Sequence, residues 1–282
     1  MNYYFLSHIT RIFLAKLRKH HANEEPLLVF SKDFIGEEVF AYGCYEKYEI
    51  ETISKVLDFD TSQHHALDIG ANIGNHSRAF SGLFKTVLCF EPHPTIFEVL
   101  QLNTKHKDNV KCYNFGLSSE QKNAFLEIPK YNLGGGSITN IQTQHTIPIA
   151  LKKGDDFLTQ PCSFVKIDVE GHESEVIKGM QKFLEQHKPI ICFELINEEV
   201  SGSKIITLLK EIGYTHFYVP YHKSLFPYLK RKRFFVNFID GILFKKSHQL
   251  ISESQFNNAY YNQIFCESEA SSFRLKKKFI KK

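Results

Sequence analysis

Between residues 65 and 219, short apolar runs alternate with stretches whose apolar positions recur at helical spacing. The apolar runs predict strands at 65–69, 86–90, 110–114, 164–168, 190–195 and 216–219. The stretches between them predict helices at 75–84, 94–106, 172–185 and 203–212. Such alternation is typical of a doubly wound, mostly parallel sheet. The pattern therefore predicts an α/β fold with a Rossmann-like core.

The segment before this core follows two other patterns. Leu6, Ile9, Phe13 and Leu17 recur at the spacing of one helix face, with Lys and Arg among them, which predicts an amphipathic helix. Residues 27–42 contain short apolar clusters broken by charges, which suits a small hairpin or cap. A further helix is predicted at 46–57, leading into the first core strand.

An insertion and a long C-terminal part complete the pattern. Residues 117–156 contain a predicted edge hairpin around a glycine triplet, with strands at 124–128 and 146–149. The apolar run 234–244 predicts a final antiparallel hairpin that closes the sheet. We therefore divide the chain into three parts: a helix and cap at 1–42, the main domain at 43–250, and a polar, basic tail at 251–282.

The cysteines and the hydropathy of the chain indicate its compartment. The six cysteines of the 282-residue chain stand singly, and three of them fall inside predicted strands. We expect buried thiols in a reducing compartment instead of a disulfide framework or a zinc site. No run of about 18 apolar residues and no leader-like cleavage site is present, so we expect a cytoplasmic protein.

Positive charge is concentrated at the two ends. The first 21 residues carry four Lys or Arg and no acid, and the last nine carry six and no acid. Without these ten charges, the formal net charge of +4 becomes −6 for the rest of the chain. One hypothesis is that both ends hold the protein loosely against the anionic inner membrane face. The alternative is that the helix packs on the main domain and the tail stays disordered.

Two glycines follow the first core strand in the run Asp68-Ile69-Gly70-Ala71-Asn72-Ile73-Gly74. Glycine lets the backbone turn tightly and approach a ligand, and the next helix begins with free N–H groups. Pyrophosphate binders use G-x-G-x-x-G, whose middle glycine is replaced here by Asn72. The turn thus favours a cofactor without a phosphate at this point, although many strand-to-helix turns contain glycine only for packing.

Acidic side chains follow the ends of other predicted strands. Glu91 lies about twenty residues after the glycine turn, where an acid can accept hydrogen bonds from both hydroxyls of a ribose. Asp168, Glu170 and His172 follow the fourth strand, and Glu194 is near the end of the next. Ligands of open α/β sheets bind outside the carboxyl ends of the strands, so these residues should face one crevice. The alternatives are a solvated loop acid for Glu91 and plain helix capping for the acids after the fourth strand.

Taken in order, these motifs resemble the FkbM family of methyltransferases over about residues 43 to 200. The motifs are Gly43-Cys44-Tyr45-Glu46, Asp68-Ile69-Gly70-Ala71-Asn72-Ile73-Gly74, Phe90-Glu91-Pro92, Asn132-Leu133-Gly134, Ile167-Asp168-Val169-Glu170-Gly171 and Phe193-Glu194-Leu195. The resemblance implies a class I methyltransferase fold with an antiparallel final strand and S-adenosylmethionine as methyl donor. It also implies that a hydroxyl of a sugar or natural product usually accepts the methyl group.

The resemblance carries expected roles onto matching positions. The expected cofactor-binding residues are Glu46, Asp68, Gly70, Ala71, Asn72, Gly74, Glu91, Pro92, Gly116 and Leu117. In this scheme the glycine turn with Asp68 lines the methionine end, Glu91 binds the ribose, and Gly116 and Leu117 neighbour the adenine. Glu46 reaches the amino group of the cofactor or is an ordinary helix acid.

Methyl transfer to an alcohol also requires a group that accepts the hydroxyl proton. Asp168 and His172, with Glu170, are the candidate catalytic residues, although His172 is equally well explained as a solvent-exposed residue in a first helical turn. His76 is expected to be structural. A magnesium ion held by Asp168, Glu170 and Glu194 is an alternative that we do not favour, so no metal is expected.

Two other classes of function stay open at this point. One is an NAD-dependent oxidoreductase, disfavoured by the absent middle glycine, and the other is a catalytically silent binding module of the same fold. The expected partner is a small-molecule or lipid-linked glycan acceptor, and no nucleic acid is expected. The sequence makes no prediction of the oligomeric state.

Overall fold

The structure is a computed structural model that describes residues 3–20, 25–31, 33–129, 134–195, 201–220, 248–252 and 261–281. The helices are α1 Tyr3–His20, α2 Phe34–Tyr42, α3 Lys47–Val56, α4 Asn75–Ser81, α5 Pro94–Thr104, α6 Gly154–Phe157, α7 Glu173–Gly179, α8 Gln181–His187 and α9 Ser201–Ile212. The strands are β1 His65–Ile69, β2 Thr86–Phe90, β3 Val110–Tyr113, β4 Gly116–Ser118, β5 Lys122–Glu127, β6 Ser137–Thr139, β7 Thr146–Lys153, β8 Phe164–Ile167, β9 Ile190–Leu195, β10 Tyr214–Pro220, β11 Leu250–Ser252, β12 Tyr261–Ser268 and β13 Ile280–Lys281.

The main sheet has the order β3-β2-β1-β8-β9-β12-β10-β11-β13. The strands from β3 to β9 in this order are mutually parallel, and β12 runs antiparallel to both of its neighbours. Five parallel strands followed by an inserted antiparallel strand form the Rossmann-like class I methyltransferase arrangement. The predicted α/β fold class with a late antiparallel strand is confirmed; that strand is β12, and β13, which follows it along the chain, pairs parallel with β11.

The segment that supplies the antiparallel strand differs from the expectation. We placed a closing hairpin at 234–244, which lies outside the described residues. The inserted strand is β12, from a segment that the polar pattern assigned to the tail. Its polar residues Gln263 and Glu267 are buried along with the apolar ones, which conceals the strand pattern. Segments of this kind are recognisable only from the pairing partners that the fold supplies.

Two hydrophobic clusters cover the two faces of the main sheet. Successive strand residues point to opposite faces, so Leu67 and Ile69 pack with α7, α8 and α9, whereas Ala66 packs with α3 and α4. All four residues of β8 are buried, so both faces of this strand are covered. The polar residue Asp68 therefore points toward α4, within the second cluster.

The cap before the main sheet contains a helix in place of a hairpin. Asp33 caps α2 by accepting the N–H of Ile35, and Gly43 ends the helix in the left-handed region at φ 78°. Ile35 packs with Ile73 and Ile96 beside the glycine turn. The cap is thus anchored directly on the mouth of the main domain.

The helix predicted at 172–185 is divided into α7 and α8 at Met180. A Cβ atom at Gly179 would stand 1.8 Å from the carbonyl oxygen of Ser118. The backbone of β4 therefore passes directly over the end of α7, and the helix is interrupted there. Periodicity alone does not reveal such a break because the apolar spacing continues through it.

The insertion forms a second sheet of order β4-β7-β5-β6. The predicted hairpin is confirmed, since β5 pairs antiparallel with β7. Beyond this hairpin, a Cβ atom at Gly134 would stand 2.2 Å from the Asn72 side-chain nitrogen. The glycine loop of the insertion therefore lies against the glycine turn of the main domain. Asn132 and Leu133 lie outside the described residues.

The C-terminal basic segment is folded onto the domain as far as residue 281. Leu275 forms a bridge with Leu57, its N–H donates to Glu267, and β13 pairs with β11 at the sheet edge. The alternative of a disordered tail is therefore wrong for residues 274–281. Within the ranges that the structure describes, no helix is both long and apolar enough to cross a membrane.

Candidate functional site

A cleft of about 430 Å³ opens at the carboxyl ends of β1, β2, β8 and β9. Its walls come from the glycine turn, the loop after β2, the start of α2, and the insertion. The predicted site residues that line it are Glu46, Gly70, Ala71, Asn72, Glu91, Pro92, Gly116, Leu117, Asp168, Glu170 and His172. The crevice expected from the parallel sheet therefore exists, and it brings most of the predicted residues together.

Asp68 and Gly74 do not line the cleft. Asp68 is fully buried beneath it and accepts a hydrogen bond of 2.6 Å from Ser77 of α4. A Cβ atom at Gly74 would stand 2.7 Å from the Leu100 side chain of α5. Both residues therefore support the glycine turn from beneath the cleft. Asp68 does so because side chains alternate along β1 and its own points into the layer of α4. In this structure both residues therefore lie beneath the expected methionine end, and their part in cofactor binding stays a prediction.

Gly70 sets the course of the backbone across the cleft floor. Its φ is +80°, and a Cβ atom there would stand 1.8 Å from the carbonyl oxygen of Asp168. The N–H groups of Gly70 and Ala71 both donate to the Phe90 carbonyl oxygen at 3.0 Å. The turn after β1 thus bridges the ends of β8 and β2, and only glycine fits this crossing.

Glu91 joins the glycine turn to the loop after β2. One carboxylate oxygen accepts the N–H of Asn72 at 2.9 Å, and the other accepts the N–H of His93 at 2.8 Å. Burial raises the pKa of Glu91 to about 7 despite these bonds. Each oxygen keeps a second lone pair for a ligand hydroxyl in the cleft.

His93 was not identified from the sequence, and it has a defined tautomer. Its Nδ1 accepts the N–H groups of Thr95 and Ile96, which caps α5. The proton of the neutral ring therefore resides on Nε2. The side chain is 2% exposed and lines the cleft, and its Nε2 has no hydrogen-bond partner among the described residues. An unsatisfied donor thus lies in the wall next to Glu91.

A chain of charged groups crosses the cleft floor on the side of α4. Lys166 lies 3.0 Å from Asp168 and 3.9 Å from Asp68, and it is almost fully buried. Strand alternation explains the grouping, because Asp68 and Lys166 are register partners on one sheet face and Asp168 follows two residues later. Burial opposes ionisation of Asp168, but Lys166 and a hydrogen bond with Glu194 keep its pKa below the ordinary value.

Glu46 and His76 form a second group above this floor. Glu46 has a left-handed backbone, φ 49°, and its carboxylate lies 3.6 Å from Nε2 of the buried His76. Burial, followed by the charge of Asp168, raises the pKa of Glu46 to about 8. Burial holds the pKa of His76 well below its ordinary value. Glu46 is therefore a member of the cleft wall, and His76 lines the cleft beside it.

Asn75 fixes the segment that carries Glu46. Its side chain accepts the N–H of Tyr45 at 3.2 Å and donates to the Tyr45 carbonyl oxygen at 2.7 Å. The first residue of α4 thereby holds Tyr45 and Glu46 over the cleft. Sequence reasoning did not select Asn75, because a polar residue after a glycine turn is ordinary in any helix start.

Glu170 and Glu173 have different environments in the loop after β8. Glu173 is buried and accepts the N–H groups of Val169 and Gly171, so it holds the loop. Glu170 has φ 52° and lines the cleft. Burial, with the charges of Asp168 and Glu173, raises the pKa of Glu170 to about 7. Glu170 is therefore a cleft carboxylate that titrates near neutral pH.

His172 lies at the far wall of the cleft, where its Nε2 is 3.0 Å from the buried Ser118 hydroxyl. Burial lowers the pKa of His172. The ring is therefore tied to β4, and it is less exposed than a first-turn helix residue in solvent. In the described part of the chain, no group of three or more His, Cys, Asp or Glu side chains is arranged to hold a metal ion.

Known proteins similar to this chain include two sequence relatives and a structural neighbour. Hexuronic acid methyltransferase AglP of Haloferax volcanii is 32% identical over 149 residues, covering 51% of this chain and 60% of that protein. Methyltransferase 1 of Beauveria bassiana is 24% identical over 220 residues, covering 67% of this chain and 83% of that protein. The crystal structure of methyltransferase FkbM from Methylobacillus flagellatus is 18% identical with a TM-score of 0.44, covering 71% of this chain and 46% of that chain.

The family assignment rests on the sequence model of the FkbM methyltransferase domain, which matches residues 68–215. This range contains the glycine turn, Glu91 and the loop after β8. The chain spans less than two thirds of the haloarchaeal relative's length. Because the match extends over more than half of the 282 residues, the chain belongs to the FkbM family of methyltransferases.

Proposed function

We propose that this protein transfers a methyl group from S-adenosylmethionine to a hydroxyl of a sugar or glycan. The observation that carries the proposal is the position of Glu91 at the cleft. Its carboxylate links the glycine turn to the loop after β2 and keeps lone pairs for two neighbouring hydroxyls. Ribose offers such a pair, and family membership supports methyl transfer as the reaction.

The cleft wall has chemistry that fits the nucleoside part of this cofactor. Pro92, Leu117 and Ile96 supply apolar surface next to Glu91. The unsatisfied Nε2–H of His93 supplies one donor in the same wall. In this proposal the apolar residues flank the adenine, and the His93 donor meets an acceptor atom of the nucleoside.

The other end of the cleft has chemistry that fits the amino acid part. Asp168, whose pKa stays below the ordinary value, offers a carboxylate for an ammonium group. Glu46 adds a carboxyl group that an ammonium ion would help to ionise, and the backbone of the glycine turn passes beside both. S-adenosylmethionine supplies a methyl carbon that its sulfonium already activates. The protein therefore has to align the acceptor oxygen, exclude water and take up one proton.

Glu170 is our first candidate for the proton acceptor. A carboxylate whose pKa lies near 7 is partly ionised at neutral pH and still basic enough to accept a hydroxyl proton. Asp168 is held by Lys166 and Glu194, so we assign it to positioning this loop and the cofactor ammonium. His172, tied to Ser118, stays an alternative acceptor at the far wall.

The sugar acceptor is supported by the name of the haloarchaeal relative and by the polar cleft mouth. That relative acts, by its name, on a hexuronic acid. The described cleft lining includes the polar side chains of Tyr45, Glu170 and Glu194, which offer hydrogen-bond partners to several hydroxyls. A smooth apolar acceptor would form no hydrogen bonds with these side chains.

A transfer assay with methyl-labelled S-adenosylmethionine tests the proposal. The acceptors are a panel of hexoses and hexuronic acids, free, nucleotide-linked and lipid-linked, beside matched deoxy sugars. We expect label on at least one hydroxylated sugar and none on the analogue that lacks the methylated hydroxyl. Glu170→Gln should reduce kcat by about 100-fold or more while cofactor affinity changes little. Label that enters no sugar, or only amines and thiols, would contradict the acceptor class.

A further inference from the structure

Helix α1 presents an apolar face that the described protein leaves open. Leu6, Ile9, Ile12 and Phe13, which we call the α1 face, lie on one side of the helix and are 41–60% exposed. An amphipathic helix on a globular domain normally turns such a stripe toward the core. The α1 face is instead available to a partner outside the domain.

The charges along the same helix restrict what that partner is. Arg11, Lys16 and Lys19 are exposed on α1, and the first 21 residues contain no acid. Two copies that met through this face would bring their Lys and Arg clusters together, which disfavours a dimer. Anionic headgroups above an apolar interior match both features at once.

The position of α1 places this face beside the cleft. Helix α1 contacts α2, and Asp33, Phe34 and Ile35 at the start of α2 line the cleft. Phe34 is itself 59% exposed. A surface that binds α1 therefore comes close to the cleft mouth.

From these three observations we propose that the α1 face docks on an anionic lipid bilayer with the helix lying in the interface. The docking needs neither cofactor nor acceptor. Resting on the proposed function, it also explains how the cleft reaches a sugar carried on a lipid. The folded basic segment 274–281 lies at the β13 edge of the sheet, and docking through the α1 face does not require it.

Vesicle sedimentation of the full chain tests the docking. The probes are vesicles of phosphatidylcholine alone and of phosphatidylcholine mixed with phosphatidylglycerol, at low and at high salt. We expect binding to the mixed vesicles about tenfold or more above binding to the neutral ones, and a marked decrease at high salt. Absence of the wild-type chain from the anionic vesicle pellet at low salt would overturn the proposal.

Variants then locate the surface. Ile9→Gln with Phe13→Gln should reduce binding by about tenfold or more, because both side chains leave the interface while the helix keeps favourable residues. Leu102→Gln with Ile141→Gln is the matched control, since these two residues are together somewhat more exposed than Ile9 and Phe13 and lie outside α1. Equal binding by the two double variants contradicts docking through the α1 face.

Light scattering during gel filtration separates lipid docking from self-association. We expect the oligomeric state to be the same in the wild type and in the Ile9 and Phe13 double variant. If that variant dissociates an oligomer and vesicle binding is unchanged, the face joins two copies and the lipid proposal fails. Because none of these readouts depends on methyl transfer, failure here leaves the proposed function intact.

Discussion

At Gly70 the main chain passes so close to the Asp168 carbonyl oxygen that a side chain has no room. Gly70→Ala adds a Cβ atom at 1.8 Å from that oxygen and forces alanine to φ +80°. Backbone strain alone destabilises by about 1–3 kcal/mol, and the clash adds to it. We expect the free energy of unfolding, measured in urea, to fall by at least that amount.

Gly82→Ala is the matched control for this prediction. Gly82 has φ −81°, and its Cβ position meets only an ordinary contact of 3.6 Å. The free energy of unfolding should be unchanged or rise by about 0.4–1 kcal/mol. Equal losses at both glycines would show that the crossing at Gly70 is not the cause.

Glu170 gives a prediction about pH. Its pKa is about 7 in the folded chain against the ordinary value of 4.5, so the folded state binds the proton more tightly. The stability linked to this proton is complete below about pH 4.5, decreases as pH rises toward 7, and is absent above 7. Glu170→Gln mimics the protonated form and avoids this loss.

We therefore expect the stability of Glu170→Gln, relative to the wild type, to rise from about pH 4.5 to 7 and then level off. Urea unfolding at several pH values measures it. Histidine titration affects both proteins equally and cancels in the difference. If the stability of Glu170→Gln relative to the wild type stays constant or decreases over this range, the pKa of Glu170 is not raised.

His93 allows its two nitrogens to be tested separately. His93→Asn keeps an acceptor that caps α5 but removes the Nε2 donor of the cleft wall. We expect affinity for S-adenosylhomocysteine to fall by about tenfold, or 1.4 kcal/mol, with stability nearly unchanged. His93→Ala should lose the cap as well, at about 0.5–2 kcal/mol. Wild-type affinity in the Asn variant would remove His93 from the proposed nucleoside site.

Single residues differ in how readily the sequence predicts them. Gly70 and Glu91 belong to local motifs whose spacing has a physical reason, and both lie just after the ends of core strands, as that spacing predicts. The role of Lys166 was not predicted because it depends on the register of β1 and β8, which places Lys166 beside Asp68. The sequence does not show how these strands pair. His93 was missed because a capping residue becomes a donor only through the tautomer that the cap imposes.

Among the elements, α4 and the segment before α3 depend on one side chain. Asn75→Ala removes both hydrogen bonds to the backbone of Tyr45, so its part-buried N–H loses this acceptor and its carbonyl oxygen keeps, among the described residues, only the Cys44 thiol. We expect a loss of about 1–3 kcal/mol and faster amide exchange at Tyr45 and Glu46. Asn123→Ala, at an exposed strand position, is the control and should change neither. Unaltered exchange at Tyr45 would show that Asn75 does not hold the segment.

The core strands were predicted nearly to the residue, because strands buried on both faces read as continuous apolar runs. Elements other than these fully buried strands were harder to predict. Helix α2 begins at an Asp cap in a segment too short for a clear period, and the break at Met180 comes from the backbone of β4. Strand β12 mixes polar and apolar residues and depends on β9 and β10 for its pairing.

In the whole molecule, the candidate site residues lie together at the carboxyl ends of the parallel strands. The glycine turn, Glu91 and the loop after β8 are far apart in sequence and meet because parallel strands end together. The cap, with α1 beside it, and the insertion then narrow the opening on two sides. Local patterns predict the strands and the motifs, whereas the positions of the cap and the insertion depend on tertiary packing.

The central claim, that this cleft binds S-adenosylmethionine, is tested most directly by calorimetric titration with S-adenosylhomocysteine. We expect saturable binding to one site in the wild type and an affinity lower by about tenfold or more in Glu91→Gln, because one acceptor oxygen becomes an NH2 group that only donates. NAD titrated into the same protein should give no such binding. Binding of NAD without S-adenosylhomocysteine, or equal affinity for S-adenosylhomocysteine in the wild type and Glu91→Gln, would contradict the account.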